Sequence, residues 1–368
     1  MEWFEITGNM HMHTPYSDGE KYHEEIADEA IKAGLDFVIV TDHNIWVDGV
    51  EGYYENGSGR VLLLTGEEVH NVRREPQASH FLAYGAKQEL SELAPDPQGL
   101  INQTIGSGGF GFLAHPHEKD LPIVNEINLG WHDWDIDGFT GLEIWNYMSS
   151  FKNRLAEALE NMRWQKKWLG MLIATRMALN PEKVLTAPEP ETLALWDELL
   201  AAGKRIVAIG NSDAHGTPMS VGPLKREIFP YDFLFRAVNT HLLISQPLSG
   251  ELEQDRRLIH NAIGNGNAYV GYDMPHPTKG FRFSGKGKNQ GIMGDRIKMD
   301  AGATLQVRAP KRVPIRLIHN GQVVAETKNN AALTYTPLEP GAYRVECDIE
   351  YHGRIRGWIY SNPIYLYE

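Results

Sequence analysis

Short apolar runs that end in polar residues recur along the first half of the chain. Phe37-Val38-Ile39-Val40 runs into Thr41-Asp42-His43, and Val61–Leu64 into Thr65-Gly66-Glu67-Glu68. Phe110–Ala114 leads to His115, Gly141–Trp145 to Asn146, and Ile206–Ile209 to Gly210-Asn211-Ser212-Asp213. Continuous apolar runs of this length read as strands buried on both faces, as in a parallel sheet. Between the runs lie helical patterns: Ile26, Ala27, Ala30, Ile31 and Ala33 fall at helical spacing within His23–Ala33, and Gly34 stands where a C-cap belongs. Polar groups at successive strand ends are what an α/β barrel produces, so a barrel is expected rather than an open sheet.

From about Phe151 to Ala202 the pattern is helical, with Trp164, Trp168, Leu169, Leu172 and Ile173 forming an apolar face. Arg236–Asn239 and Asp255–Ile263 read as further helical pieces. The character changes near Pro275-His276-Pro277. A Gly- and Lys-bearing stretch, Ser284–Gly294, then leads into strand-like runs at Thr304–Arg308, Ile315–His319, Val323–Thr327, Leu333–Thr336, Ala342–Tyr351 and Ile355–Tyr360. His319-Asn320-Gly321-Gln322 is a hairpin signal, because Asn-Gly accepts the positive φ of a type I′ turn. The expected division is residues 1–277 as the barrel and 278–368 as an all-β sandwich.

Composition narrows the function classes. A net charge of -13 argues against a groove that follows nucleic-acid phosphates. The single Cys347 excludes an intrachain disulfide framework. The N-terminus lacks a basic and apolar leader, and no apolar run reaches the ~20 residues that span a bilayer, so a soluble, cytoplasmic protein is expected. A homo-oligomer is compatible with the sequence.

His11-Met12-His13 places two imidazoles on one face of a strand, where they can share an ion; Asp213-Ala214-His215 repeats the alternation. Asp18, in Tyr16-Ser17-Asp18-Gly19, would alone read as a polar turn. His43, Glu68, His80 and His115 each flank a strand-like run. Any one could be an ordinary polar residue; their joint occurrence at strand ends points to a metal site. Imidazole and carboxylate without thiolate suit Zn, Mn or Fe.

These motifs, with Thr41-Asp42-His43, Gly66-Glu67-Glu68, Ala114-His115-Pro116 and Ser212-Asp213-Ala214-His215, resemble in type and order the PHP (polymerase and histidinol phosphatase) metallohydrolase family over roughly residues 8 to 216. The resemblance implies a distorted (β/α)7 barrel with two or three divalent ions. It implies one ion on His11, His13 and Asp213, with Glu68 bridging to a second on His80 and His115, and a third on Asp18, His43 and His215. Glu68, Asp213 and His215 are the expected catalytic members. Glu67 is left as a supporting residue, and Asp42 as a group that orients a ligand. Gly8–Asn44 and Ser361-Asn362-Pro363-Ile364 resemble a branch that includes carbaryl-hydrolase-like enzymes.

Two ions can hold a bridging hydroxide, because each lowers the pKa of bound water. The ligand chemistry alone suits phosphoester, carbamate, carboxyl-ester and amide hydrolysis. The resemblance makes a phosphoesterase acting on a small anionic phosphate ester the leading expectation, with a carbamate, carboxyl-ester or amide hydrolase as the alternative. A non-catalytic metal- or partner-binding module would be expected to have lost ligands. His117, Arg176 and Arg226 are the candidate substrate contacts. His70, His132, His241, His260 and His276 are expected to fill ordinary polar roles.

Overall fold

The computed structural model describes residues 3–121, 127–160, 167–221 and 224–368. The fold is mixed α/β: a large sheet with a few helices. Its first strands are Phe4–Asn9 (β1), Phe37–Val40 (β2), Gly52–Asn56 (β3), Gly59–Val69 (β4), Phe81–Tyr84 (β5), Phe110–Leu113 (β6), Gly141–Asn146 (β7) and Val207–Asn211 (β8). A small hairpin, Pro218–Val221 (β9) and Leu224–Glu227 (β10), is followed by Val238–Ile244 (β11) and Ala268–Tyr272 (β12). The helices are His23–Ala33 (α1), Pro97–Gly106 (α2), Tyr147–Glu160 (α3), Lys167–Ala178 (α4), Pro190–Ala201 (α5), Tyr231–Leu234 (α6) and Leu252–Asn265 (α7).

Pairing runs β1-β2-β4-β5-β6-β7-β8. It is parallel throughout except at β5, which is antiparallel to both neighbours. The series returns on itself just past the strand ends. Met12 and Ala214 form a parallel bridge, and the Asp213 N–H donates to the His11 carbonyl at 2.9 Å. Alternate side chains divide between two cores, as strands covered on both faces require. Phe37, Ile39, Leu62, Leu64, Phe110 and Phe112 pack with α7, whereas Val38, Val40, Val61, Leu63 and Leu113 pack under α1, α2 and α5. Helix α1 ends as its sequence implies, with Gly34 at φ 83° closing on the carbonyls of Ala30 and Ile31.

The C-terminal strands are Arg282–Lys286 (β13), Gln290–Ile292 (β14), Arg296–Lys298 (β15), Thr304–His319 (β16), Gln322–Tyr335 (β17), Gly341–Tyr351 (β18), Arg354–Ser361 (β19) and Ile364–Tyr367 (β20). They build most of an apolar cluster that includes Phe283, Ile315, Val345 and Trp358 and is joined by Leu243 of β11 and Tyr269 of β12. They also continue the first sheet, because β19 pairs antiparallel with β12. Asn362 completes the junction like a missing strand residue. Its side-chain oxygen accepts from Ala208 N–H at 2.7 Å, and its amide donates to the carbonyls of Ala208 (2.9 Å) and Ala268 (3.1 Å).

Several elements differ from expectation. Arg236–Asn239 is the turn out of α6 and the start of β11. The two runs Thr304–Arg308 and Ile315–His319 belong to one bent strand, β16, whose register against β17 shifts between Arg308 and Val313. Leu172 of the expected apolar face is 56 % exposed, while Trp164 and the Trp168 side chain lie outside the described residues. The Asn320-Gly321 turn forms as read, with φ 50° and 72°. Among the described residues no helix is long and apolar enough to cross a membrane.

Candidate metal centre

Strand direction brings the candidate residues to one end of the sheet. His11 and His13 follow β1, His43 follows β2, Glu68 closes β4, His115 follows β6, and Asp213 and His215 follow β8. His80 precedes its strand, yet reaches the same end because β5 runs the other way. The chain turns sharply there. His115 and Asp213 sit at φ 28° and 58°, and Asn44 and Ser79, next to His43 and His80, at 54° and 66°. Left-handed non-glycine residues gathered at one place are a mark of functional sites. The turn that carries Asp18 requires its glycine: a Cβ on Gly19 would lie 2.2 Å from the His13 carbonyl oxygen.

The side chains converge in groups whose ligand atoms all lie within 4.8 Å of one another. In the first, Glu68 Oε2 stands 3.0 Å from His11 Nε2 and 3.2 Å from His13 Nε2, and Asp213 Oδ1 is 3.1 Å from His13 Nε2. In the second, the other oxygen of the same carboxylate, Glu68 Oε1, is 2.8 Å from His80 Nδ1 and 3.2 Å from His115 Nε2. In the third, Asp18 faces His215 Nε2 at 3.3 Å, His43 Nε2 at 3.7 Å and His13 Nδ1 at 3.8 Å.

The electrostatics describe a site short of positive charge. Burial works to raise the carboxyl of Glu68, but His11, His43 and His80 override it and hold Glu68 well below the usual carboxylate range. Asp213 behaves the same way, through His11, His13 and His215. Burial opposes protonation of His13 and His115, yet their carboxylate partners push them up to about 10 and about 9. Fully buried imidazoles would thus carry protons only to satisfy the carboxylates. Divalent cations would do so with the imidazoles neutral, and they would suit the Nδ1 atoms of His13 and His43, which are buried without a hydrogen bond and face carboxylates. The donor set fits hard-to-borderline divalent ions.

A supporting layer fixes these rings. The His11 Nδ1–H donates to Glu143 Oε1 at 3.0 Å, leaving Nε2 for the cluster. His215 Nδ1–H donates to the Asp213 carbonyl at 2.9 Å, and His80 Nε2–H to the Gln77 carbonyl at 2.7 Å. Asp42 accepts from the Thr14 N–H (2.6 Å), the Thr14 hydroxyl (2.7 Å) and the Ser17 hydroxyl (2.8 Å), so it holds the loop that presents Asp18. Tyr231 places its hydroxyl 2.8 Å from the His13 carbonyl and 2.9 Å from that of His215. Glu67 points away from the cluster, accepts from Leu90 N–H at 2.8 Å, and is raised by burial to about 7.

Two site residues escape the sequence reading. His70 lies against the cluster: its nitrogens group with those of His43 and His80, and burial holds it down to about 4. Glu68-Val69-His70 repeats the alternation of His11-Met12-His13, and that was the available signal. Glu143 is a carboxylate inside the apolar run Gly141–Trp145, where a buried charge demands partners. The candidate substrate contacts fare unevenly. His117 is half-buried, with Nδ1 2.9 Å from the Thr192 hydroxyl and its ring stacked on Trp134. Arg176 is exposed on α4. The Arg226 side chain lies outside the described residues.

Residues 9–131 match the PHP domain family model. Across 98% of this chain and 96% of its own, a two-domain Bacteroides vulgatus protein containing a predicted PHP-like metal-dependent phosphoesterase is similar in structure, at 16% identity and a TM-score of 0.44. A lesion-specific endonuclease from Pyrococcus furiosus aligns over 73% of this chain and 58% of its own, at 15% identity and a TM-score of 0.36. A proposed metal-dependent phosphoesterase from Bifidobacterium adolescentis aligns over 59% and 91%, at 16% identity and a TM-score of 0.29. No curated protein matches the chain. The family match and the histidine–carboxylate groups together support a metal-dependent hydrolase. Residues 9–131 of this chain carry a PHP domain.

Proposed function

We propose that the chain is a phosphoesterase that cleaves small phosphate esters with two to three divalent ions, Mn, Zn or Fe. His11, His13 and Asp213 would hold the first, His80 and His115 the second, and Asp18, His43 and His215 the third, with Glu68 shared between the first two. The observation that carries this reading is the division of one carboxylate, with Glu68 Oε2 serving His11 and His13 and Oε1 serving His80 and His115. When bound, closely spaced divalent ions supply Lewis-acid polarisation and lower the pKa of coordinated water toward neutrality.

The chain's own contribution is placement. Glu143 keeps the His11 ring in one tautomer, Asp42 anchors the Asp18 loop, and the Met12–Ala214 bridge holds the His-x-His and Asp-x-His pairs together. A third group of ligands would set positive charge on a further side of a tetrahedral phosphate, which a planar ester or carbamate does not need. The net charge of -13 favours a small anion held by metal over a nucleic-acid strand.

The same reading takes residues 1–277 as a distorted (β/α)7 barrel and 278–368 as an accessory β-sandwich; an apolar cluster made mostly of C-terminal residues supports it. The test is turnover of metal-defined protein on phosphomonoesters, phosphodiesters, carboxyl esters and carbamates. A phosphoester should give the highest kcat/KM, chelation should abolish it, and Mn, Zn or Fe should restore it. Carbamate or carboxyl-ester turnover orders of magnitude higher would transfer the site to that chemistry. Full turnover without metal would end the metal reading altogether.

A further inference from the structure

We infer that His70 is a positioning residue that locks His43 and His80 together, and so ties the third proposed ion position to the second. This rests on the reading that His43 and His80 hold ions.

His70 follows β4, two residues beyond Glu68, and is 7% exposed. Its ring lies flat on His80, with centroids 4.3 Å apart and planes 13° from parallel. It meets His43 edge-on, at 4.8 Å and 87°. It therefore touches one imidazole from each of two groups that also meet through Glu68 and through the edge-on contact of His43 with His80, 5.5 Å between ring centroids. The backbone supports the same wedge. The His70 N–H donates to Asn44 Oδ1 at 3.0 Å, the Asn44 amide reaches His70 Nδ1 at 3.4 Å, and the Asn44 N–H donates to the Glu68 carbonyl at 3.0 Å. The loop bearing His43 is thereby clasped to the loop bearing Glu68 and His70.

The nitrogens of His43, His70 and His80 lie close enough to suggest a further ion among them. Ring geometry decides against it. An imidazole lone pair lies in the ring plane, and two near-parallel rings 4.3 Å apart cannot both aim at one ion. His80 is also committed at both nitrogens, Nδ1 toward Glu68 and Nε2 to the Gln77 carbonyl. What remains for His70 is contact. A flat aromatic face against His80 blocks rotation of that ring, and an edge against His43 limits its swing. Fixing a ligand's orientation in advance lowers the entropic cost of binding the ion.

The experiment compares wild type, His70→Ala and His70→Phe with Zn2+ as the probe. Bound zinc is counted by elemental mass spectrometry, and its release into a chelator is timed. His70→Ala should hold zinc about 10–100-fold more weakly at the affected positions, the range typical for lost supporting partners. His70→Phe keeps an aromatic face without a nitrogen donor, and should retain zinc within a few-fold of wild type. Equal weakness of a folded His70→Phe and His70→Ala would overturn the inference, because nitrogen rather than stacking would then be what matters. A His70→Ala variant that releases zinc like wild type would also overturn it. Should His70→Ala fail to fold, His70→Phe alone decides by the same criterion. The underlying reading fails separately: wild type itself would bind fewer than two zinc ions.

Discussion

Glu143 Oε1 stands 3.0 Å from His11 Nδ1, on the opposite nitrogen from the one that faces Glu68. The carboxylate also accepts from the His115 N–H (3.1 Å), the Asn146 amide (2.9 Å) and the Asn211 amide (3.0 Å). Donors thus converge on both of its oxygens. Glu143→Gln would set an amide NH2 against some of them while barely changing volume. We expect about 10–100-fold weaker metal affinity, typical of a lost orienting partner, with a matching fall in kcat/KM. Metal titration of the folded variant checks it.

Glu68→Gln and Asp18→Asn separate the groups. Glu68 reaches two of them and Asp18 one. Glu68→Gln should therefore lower metal content in both and cost more than about 100-fold in kcat/KM, as expected when a charge central to a metal site is lost. Asp18→Asn should leave the ions near Glu68 in place. Elemental analysis of the two proteins, prepared alike, would contradict the assignment if Asp18→Asn lost as much metal as Glu68→Gln.

A second ionic cluster lies toward the start of β1. His241 sits between Glu5 (3.2 Å) and Asp273 (2.9 Å), with Tyr269 stacked on its ring and Arg282 on the far side of Glu5. Burial opposes its protonation, but Asp273 and Glu5 raise it from 6.5 to about 9. The folded protein therefore holds this proton more tightly than the unfolded chain. The stabilisation is complete below pH 6.5 and is lost as pH rises through about 9, an effect on the order of 3 kcal/mol. The stability gap between wild type and His241→Gln should shrink over that window. Urea unfolding at several pH values measures it; a gap that is flat with pH would contradict the prediction.

Asn362→Ala removes the side chain that pairs with both backbone groups of Ala208. Buried donors and acceptors left unpaired cost on the order of 3 kcal/mol in total. The urea midpoint should fall accordingly, while metal content at saturation stays unchanged, because Asn362 touches none of the histidine–carboxylate groups.

What the sequence discloses here is what is local. Helix α1 and its Gly34 cap, the strand β2 before His43 and the Asn320-Gly321 turn each depend on neighbours along the chain, and each forms as read. Arg236–Asn239 misleads because Arg236 pairs with Asp232 at helical spacing, whereas Val238 and Asn239 are claimed by β12, far along the chain. The candidate ligands other than Asp18 are legible because strand ends mark them. His70 is not, because its partners His43 and His80 come from other strand ends and only the alternation with Glu68 hints at its face. Glu143 hides within an apolar run, where periodicity carries no sign of the donors that will surround it.

The bridge between Met12 and Ala214 joins segments whose candidate ligands His13 and Asp213 are 200 residues apart. Contacts of such separation pay their loop-closure entropy before they return any stabilisation, so they belong late in folding. A chain with every strand formed but this seam still open would look nearly native by secondary structure, yet would lack the first group of ligands. On the proposed metal reading, regain of metal affinity during refolding would be a clock for closing the Met12–Ala214 seam, reading a single long-range event that circular dichroism passes over.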